Sequence, residues 1–315
     1  MKEENNNLQV NNLNGEIDIQ EIFSALIQGK RIIISITAFV VMIGIFYSLF
    51  LPNIYKSNAL LAPVNNNQSA LSTAMGEYGG LAALAGISLP NSNKDSNSAK
   101  ALEMMGALSF FENNIMPKIF LPDLMAMGYW NSDINKISYD DDIYNQSSDS
   151  WVRSFSYPKK LIPSAQESFE KFKKKHFDIK QDISSGFITL SVKHQSPYVA
   201  KQWVETVVRE INNFYRQKDK SKSEDTIVYL NEQMFKTSLR EVKEVIAELL
   251  QTEIQNLALI EVNENYVFEY IYPPAVMEKK SEPSRTLIFI LSTILGVLLG
   301  AFIVILRHYF FSSDK

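Results

Sequence analysis

The sequence IIISITAFVVMIGIFYSLFL occupies residues 32–51, and the sequence LIFILSTILGVLLGAFIVIL occupies residues 287–306. Each run is 20 residues long and contains no charged side chain. Twenty helical residues extend about 30 Å, which is roughly the thickness of the hydrocarbon core of a bilayer. Two spans place both ends of a chain on one side of a membrane, so the 235 residues between them (52–286) would lie on the other side. The sequence therefore predicts a large domain that is tethered at both ends to one membrane.

The first run has the features of an uncleaved anchor rather than those of a signal peptide. It begins only at residue 32, and it is longer than the apolar core of a typical signal peptide. The residues that follow it, Leu51-Pro52-Asn53-Ile54, offer no small-residue cleavage site. We therefore predict that residues 32–51 remain in the protein as its first transmembrane helix.

Basic residues near the two runs predict the orientation of the chain. Four lie on the side of the termini and four on the side of the large domain: Lys30, Arg31, Arg307 and Lys315 against Lys56, Lys279, Lys280 and Arg285. The count is tied, but the positive-inside rule applies to short segments and largely ignores long translocated loops. We therefore expect the tails 1–31 and 307–315 to lie in the cytoplasm.

The composition excludes several classes of protein. The net charge is −4, from 31 basic and 35 acidic residues, so no overall positive field would attract nucleic acid. The chain contains no cysteine, which excludes disulfide bonds, thiolate metal sites and cysteine nucleophiles. The residues between the two runs are numerous enough to bury a core of their own.

The first half of the large domain contains both strand and helix patterns. Residues Tyr55–Val64 are a predicted strand, Ala99–Ile115 a predicted helix, and the acidic stretch Asp133–Ser150 a predicted loop. The segment Met75–Leu89 is rich in Gly, Ala and Leu and is followed by polar residues. It fits a hairpin buried in the core, and it also fits a surface loop that docks on a partner.

The second half begins with a capped helix and a strand. Ser164-Ala-Gln-Glu167 is a capping box, which predicts a short helix through Lys175. Ile188, Leu190 and Val192 alternate with polar residues, as in a half-buried strand. Val267–Tyr272 is a further predicted strand, which leads into the segment before the second apolar run.

A long helix is predicted between these strands, over residues 197–260. Ser196-Pro197 supplies an N-cap and a favourable first helical position, and no proline or glycine follows until after Ile260. A continuous helix of this length would extend about 95 Å, and the polar stretch Lys218–Asp225 is the expected place for a bend or a solvated bridge. An apolar seam with 4-3-4-3 spacing runs along its second half: Phe235, Leu239, Val242, Ile246 and Leu249. We interpret the seam as a face packed on the domain's own core, with a coiled coil as the alternative.

No arrangement of residues in the sequence predicts catalysis, and we expect no catalytic residue, no cofactor site and no metal site. The three histidines, His176, His194 and His308, have no second histidine or cysteine at metal-ligand spacing. Loops that bind nucleotide phosphates and nucleophile elbows are absent from the sequence. The acidic run Asp140–Asp142 and the basic residues of Lys171–Lys175 fit solvated surface better than a cation site or an anion-binding face.

The segment before and within the second apolar run carries a distinct module. Its prolines, which include Pro274 and Pro283, favour a stiff extended connector because they cannot continue a regular helix. Gly296 and Gly300 fall on one face of the apolar run, where another helix can approach closely in lipid. We predict that these four residues couple the large domain to its membrane helices.

At this module the chain resembles the Wzz-type polysaccharide co-polymerases, the family of O-antigen chain-length determinants. The family pattern is P-x2-P-x4-S-P-K-x11-G-x3-G, and Pro274, Pro283, Gly296 and Gly300 match it, whereas Met277, Glu282 and Ser284 depart from it. Other parts of the chain also resemble the family: Ile17–Glu21 with Gly29–Arg31, Tyr55–Leu61, Gly186–Pro197 with Ala200–Trp203, and Val267–Pro274.

The resemblance implies an α/β fold anchored in the bacterial inner membrane, with two transmembrane helices flanking a periplasmic α/β base domain and a long extended helix. It also implies a ring-like homo-oligomer that acts with the O-antigen polymerase and with undecaprenyl-linked polysaccharide. The implied function is non-enzymatic control of lipopolysaccharide O-antigen chain length. Two alternatives remain open, namely length control of capsule, exopolysaccharide or enterobacterial common antigen, and a membrane-anchored enzyme that processes the glycan.

Overall fold

The computed structural model describes residues 19–64 and 97–311. The chain divides into two compact units, one made of Met1–Pro52 with Pro283–Lys315 and the other of Asn53–Glu282. The segment Met75–Leu89, for which a buried hairpin and a docking loop are both predicted, lies outside the described residues.

The described residues of the first unit form three helices. Helix α1 covers Ile19–Gln28, α2 covers Lys30–Phe50, and α9 covers Arg285–Phe311. The two predicted apolar runs lie within α2 and α9, which are 21 and 27 residues long. These two helices pack against each other in antiparallel orientation, since Gly29, just before α2, faces Val304 of α9 and Thr37 faces Gly296.

The second unit is built on a four-stranded antiparallel sheet with the strand order β6-β7-β1-β8. Its strands are β1 (Tyr55–Pro63), β6 (Phe177–Gln181), β7 (Ile188–His194) and β8 (Phe268–Tyr272). The predicted strands at Tyr55–Val64, at residues 188–192 and at Val267–Tyr272 are all present. The alternation in β7 places Ile188, Leu190 and Val192 in the core, each with no exposed surface.

Several short helices lie between β1 and β6 in the sequence. They comprise α3 (Asn97–Met105), α4 (Leu108–Phe110) with a π-helical turn and a 3₁₀ turn through Lys118, α5 (Leu121–Met125), and α6 (Ala165–Lys171) with a π-helical turn through His176. Half of the predicted capping box is present, because the Ser164 side chain accepts a hydrogen bond from the Glu167 N–H at 3.3 Å, whereas the Glu167 carboxylate binds the Arg153 guanidinium. The single helix predicted at Ala99–Ile115 is wrong in one respect, since it is interrupted at Gly106 and Ala107, where Ala107 adopts an extended conformation.

Two small hairpins occupy the region that contains the predicted acidic loop. The first pairs β2 (Met127–Asn131) with β3 (Lys136–Tyr139), and the second pairs β4 (Tyr144–Asn145) with β5 (Ser150–Trp151). The prediction of a continuous loop over residues 133–150 is therefore wrong. Aromatic residues within the polar sequence supply the packing for these short strands, since the rings of Tyr144 and Trp151 are in edge contact at 5.4 Å.

The predicted single helix over residues 197–260 is in fact two helices that form an antiparallel hairpin. Helix α7 covers Pro197–Lys236 and α8 covers Arg240–Val262, and the chain reverses between them at residues 237–239. Lys220 of α7 forms an ion pair with Glu261 of α8 at 2.8 Å. At this break Thr237 leaves the helical region, with φ −93° and ψ 140°. The break contains neither proline nor glycine, so the sequence does not mark it.

The helix is not interrupted at Lys218–Asp225, where the sequence suggests a bend, because this polar stretch is helical throughout. The interruption lies further along, at residues 237–239. Two of its side chains bind residues that follow the chain reversal at residues 237–239. Tyr266 donates a hydrogen bond to the Asp219 carboxylate at 2.7 Å, and Lys220 lies close to both Glu261 and Glu224.

The apolar seam does not pack on the domain's own core as predicted. Of its five members only Ile246 is buried, whereas Phe235 is 87 % exposed and Leu239 is 61 % exposed. Val242 and Leu249 are also exposed. The spacing assumed one continuous helix, and the break at residues 237–239 separates Phe235 from the others. In the part of the chain that the structure describes, α8 therefore keeps apolar side chains such as Val242 and Leu249 exposed beside the buried Ile246.

Candidate functional site

The four residues predicted to couple the domain to its anchors fall into two regions, a helix pair and a connector. In the helix pair, Gly296 and Gly300 of α9 are both buried against α2. A Cβ atom placed on Gly296 would lie 2.8 Å from the Cα of Thr37, and one placed on Gly300 would lie 2.9 Å from the Cα of Ile33. Both distances are shorter than a carbon–carbon contact, so only glycine permits this separation of the backbones.

Two further glycines continue the close contact on the opposite helix, and the sequence reasoning did not assign them. A Cβ atom on Gly44 would collide with the Ser292 hydroxyl, and one on Gly29 would collide with the Val304 side chain. Ser292 precedes Gly296 by four residues, so the small-residue spacing in α9 extends one turn further than the glycines alone indicate. Gly29, which directly precedes α2, and Gly44 within it are isolated glycines, and no spacing in the sequence marks them.

The threonine in this contact does not expose an unpaired hydroxyl to the apolar environment. The Thr37 Oγ1 donates a hydrogen bond to the Ile33 carbonyl oxygen at 2.8 Å, within its own helix. A serine or threonine that satisfies itself in this way is compatible with a lipid-embedded interface. The Thr37 hydroxyl therefore has a partner inside its own helix at the point where the two backbones approach closely.

The connector runs beside the start of strand β1. Pro274 is buried, and the Ser57 hydroxyl donates a hydrogen bond to the Ala275 carbonyl at 2.9 Å. At its far end, the Ile54 N–H donates to the Glu282 carbonyl at 2.9 Å, and the Ser281 N–H donates to the Ile54 carbonyl at 2.7 Å. The polypeptide therefore enters and leaves the large domain at the same place, through a two-residue strand pair.

Charged groups reinforce this junction. Lys193 of β7 forms an ion pair with Glu282, and Lys280 donates a hydrogen bond to the Asn53 side chain at 3.0 Å. Glu282 and the neighbouring Ser284 are positions at which the sequence departs from the family pattern. At Glu282 the departure supplies a carboxylate that binds Lys193. Pro283 is half-buried and directly precedes the turn into α9.

The structure brings together two histidines that the sequence did not connect. The rings of His176 and His194 lie 5.7 Å apart, and both rings contact Trp203 edge-on, His194 at 5.0 Å and His176 at 5.5 Å. Burial lowers the pKa of each histidine to about 4. Both rings are therefore neutral at neutral pH.

Hydrogen bonds fix the tautomer of His194. The Ser196 N–H donates to its Nδ1 at 3.0 Å, so Nε2 carries the proton and donates to the Asp123 carbonyl oxygen at 3.1 Å. His176 Nδ1 bonds to the Lys193 carbonyl at 2.7 Å. The hydrogen-bond partners of both histidines are backbone groups, and their ring contacts are with each other and with Trp203. The pair therefore joins helix α5, strand β7 and the start of α7.

The acidic run Asp140–Asp142 and the basic residues of Lys171–Lys175 are two charged clusters of the sequence. Asp140, Asp141 and Asp142 are all exposed. Lys173 and Lys174 are exposed, whereas Lys171 is partly buried and its Nζ donates to the Met125 carbonyl at 3.3 Å. Among the described residues, no group of three or more His, Asp or Glu side chains is placed to hold a metal ion.

Comparisons with known proteins bear on the N-terminal third of the chain. Residues 15–112 match the family model described as Wzz: Chain length determinant protein. This match confirms the predicted resemblance to the Wzz-type family. The comparison with curated proteins gave no match.

Two solved structures are similar to the chain at a low level. One is described as a full-length bacterial polysaccharide co-polymerase, with a TM-score of 0.42 and 14 % identity, covering 95 % of this chain and 100 % of that one. The other is a fragment of WzzB, a polysaccharide co-polymerase from Salmonella Typhimurium, with a TM-score of 0.30 and 14 % identity, covering 73 % of this chain and 100 % of that one.

Proposed function

We propose that this chain, whose residues 15–112 match the Wzz chain length determinant family, is a non-enzymatic regulator of lipopolysaccharide O-antigen chain length. It would set how many repeat units the O-antigen polymerase adds to undecaprenyl-linked polysaccharide. The family match is the observation that carries the proposal. Other polysaccharides with a modal length, such as capsule, exopolysaccharide or enterobacterial common antigen, are the alternative target.

Anchoring in the bacterial inner membrane is part of this proposal. Lys30–Phe50 and Arg285–His308 are long and apolar enough to cross a bilayer, and most of their side chains are exposed in the chain. A core helix of a soluble domain would have its apolar side chains buried, so these helices fit a lipid environment better. Lys30, Arg31 and Arg307 flank the spans on the side of the termini, which supports cytoplasmic tails and a periplasmic large domain.

The mechanism we propose is a mechanical one, in which the large domain acts as a scaffold held by a stiff anchor. Backbone contact at Gly296 and Gly300 would hold the two spans as one body in the membrane. The strand pair between Ile54 and Glu282, with the buried Pro274, would transmit the position of that body to the sheet. Pro283 would fix the direction in which the chain enters the second span.

Assembly into a ring-like homo-oligomer is the second element of the proposal. The exposed apolar side chains of α8, which include Leu239, Val242 and Leu249, support a contact with another copy. A scaffold that surrounds or flanks the polymerase could change how long the growing glycan stays associated with it. Such a role needs no nucleophile and no cofactor.

A deletion strain complemented with this gene tests the proposal. We expect the lipopolysaccharide ladder of the deletion strain to lose its modal length, and the wild-type gene to restore it on a gel. An unchanged O-antigen ladder with a capsule or common antigen of altered length would transfer the role to that glycan. A change in the chemical structure of the repeat unit, rather than in the number of units, would indicate a glycan-processing enzyme instead.

A further inference from the structure

A hairpin in the large domain presents an apolar side chain at a rigid tip. Strands β2 and β3 are joined by residues 132–135, and Ile134 at this turn is 67 % exposed. The Asn131 Oδ1 accepts hydrogen bonds from the Asp133 N–H at 2.9 Å and the Ile134 N–H at 3.4 Å. The Trp130 indole N–H donates to the Asn135 Oδ1 at 2.9 Å. Side chains on both sides of the turn therefore hold Ile134 outward.

Aromatic side chains lie directly behind this tip. Tyr129 is 61 % exposed and Trp130 is half-buried. These residues combine an apolar ring with a polar tip, a combination that is enriched where one end of a side chain meets hydrocarbon and the other meets water. The hairpin is thus apolar at its end and amphipathic one step further back.

The hairpin contacts the end of the sheet at which the chain enters the domain. The Trp130 ring contacts the Tyr55 ring edge-on at 5.5 Å, and Tyr55 is the first residue of β1. The Gln195 side chain, just after the end of β7, donates a hydrogen bond to the Gly128 carbonyl at 3.3 Å. Both contacts lie at the same end of the sheet, since Tyr55 pairs with His194.

The short chain segments that join this end of the sheet to α2 and α9 limit its distance from those two helices. Helix α2 ends at Phe50, five residues before Tyr55, and five extended residues reach at most about 18 Å. Glu282, which pairs with Ile54, precedes the start of α9 at Arg285 by three residues, a reach of about 11 Å. The end of α2 therefore lies at most about 18 Å from Tyr55, and the start of α9 at most about 11 Å from Glu282.

We propose that the β2–β3 hairpin is a third membrane contact, which places Ile134 in the head-group region of the bilayer that holds the two spans, with Tyr129 and Trp130 at the interface. This inference rests on the proposed membrane anchoring. The tip carries one acidic and one basic residue, Asp133 and Lys136, so its net charge is zero. The contact is therefore apolar and independent of anionic lipid.

The absence of cysteine from the chain makes single-site labelling straightforward. The test uses the full-length protein in phosphatidylcholine nanodiscs, labelled with an environment-sensitive nitrobenzoxadiazole dye at Ile134→Cys. Quenching is measured with lipids that carry a nitroxide near the head group for labels on the large domain, and with lipids that carry it deep in the acyl chain for the label at Leu298, which lies about 20 Å from the start of α9. Ile183→Cys is the matched control, because Ile183 is also an isoleucine in a tight turn, is 100 % exposed, and lies beyond the opposite end of β7. Leu298→Cys, on an exposed position of α9, reports insertion of the spans.

We expect the label at Ile134 to emit further to the blue than the label at Ile183 and to be quenched several-fold more by the lipid nitroxide. This difference should persist when salt is raised or when phosphatidylglycerol is added. Equal emission and equal quenching at the two sites would overturn the inference. A blue shift at Ile134 without lipid quenching would also overturn it, because the tip would then be covered by protein, including a second copy of the chain.

The label at Leu298 separates this inference from the proposal on which it rests. Quenching at Leu298 without quenching at Ile134 would leave the anchoring intact and refute the hairpin contact alone. Absence of quenching at Leu298 would contradict membrane anchoring and the hairpin contact together. Circular dichroism of each labelled variant verifies that the fold is retained.

Discussion

The side chain of Asn212 in α7 is hydrogen bonded to both backbone groups of Phe268 in β8. Its amide nitrogen donates to the Phe268 carbonyl at 2.9 Å, and its Oδ1 accepts from the Phe268 N–H at 2.9 Å. The same oxygen accepts from the Val267 N–H at 2.8 Å. One buried amide therefore satisfies three backbone groups of the strand that leads to the connector.

Replacing Asn212 with alanine should destabilise the large domain. Three buried backbone groups would lose their partner, and unsatisfied groups of this kind cost about 3 kcal/mol in total after partial hydration. For a domain of this size we expect the melting temperature to fall by about 6–12 °C, measured by near-UV circular dichroism on the detergent-solubilised protein. Asn213→Ala, at the neighbouring half-buried position, should change it little. Equal shifts for the two variants would contradict the role assigned to Asn212.

Replacing Gly296 with leucine should separate the two apolar helices. The new side chain would occupy the space of the Thr37 backbone, and overpacking of this kind costs about 1–3 kcal/mol. We expect a shifted or broadened O-antigen length distribution on a lipopolysaccharide gel. Leu298→Phe, on an exposed position of the same helix, is the control and should leave the distribution unchanged. An unaltered banding pattern for Gly296→Leu at normal protein level would refute the coupling role.

Gly44 offers an independent test of the same helix pair from the opposite side. Its replacement with leucine should collide with Ser292, and the double variant Gly44→Leu/Ser292→Gly should recover part of the lost function because it vacates space across the interface. Identical behaviour of the single and double variants would indicate that the two positions are not in contact.

The buried histidines predict a loss of stability in acid. Their folded-state pKa values of about 4 lie below the ordinary value of 6.5, so the neutral forms are favoured by folding. This contribution is fully present above pH 6.5 and is lost as the pH falls through 4, because the unfolded chain then binds protons that the folded chain excludes. By linkage it amounts to about 3 kcal/mol per histidine at most.

The double variant His176→Asn/His194→Asn should therefore show a weaker pH dependence than the wild type. We expect the difference in melting temperature between pH 7 and pH 4.5 to be smaller in the variant, although the variant starts from a lower stability at pH 7. Carboxylates such as Glu167 titrate in both proteins, so the comparison isolates the histidines. Parallel curves for the two proteins would contradict the assignment of neutral, buried rings.

The exposed face of α8 predicts that charge on it disrupts assembly. Val242→Glu with Leu249→Glu should lower the mass of the detergent-solubilised complex in light scattering, because the substitutions bury charge in an apolar contact. Gln251→Glu places the same charge on an exposed polar position of that helix and should leave the mass unchanged. If the double variant keeps the wild-type mass, the contact between copies lies elsewhere.

Patterns with a direct physical cause could be read from the sequence. Uncharged runs of 20 residues predicted the two long apolar helices, and the alternation of Ile188, Leu190 and Val192 with polar residues predicted a half-buried strand, whose three apolar side chains are indeed buried. The capping box at Ser164 predicted a helix start because it satisfies a free N–H group. The spacing of Gly296 and Gly300 predicted close approach, although not that the partner would be the first apolar helix of the same chain.

Features that depend on tertiary contact could not be read in this way. The reversal at residues 237–239 contains no breaker, and it is stabilised by pairs such as Lys220 with Glu261 that are 41 residues apart. The His176–His194 pair depends on the register of β6 against β7, which places the start of one strand beside the end of the other. The role of Gly44 depends on a residue of the opposite helix. In each case the partner is distant in sequence, and periodicity carries no information about it.

The pairing of Ile54 with Glu282 makes the large domain a cassette with a single point of attachment. Its first and last residues are neighbours in a ladder, with Cα atoms about 5 Å apart, so residues between them can be cut out or inserted without changing the distance that the host must bridge. Exchange of this cassette with the corresponding segment of a Wzz family protein, with junctions at these two residues, would preserve both apolar helices. A length preference that moves with the transplanted segment belongs to the cassette, and one that stays behind belongs to the paired helices.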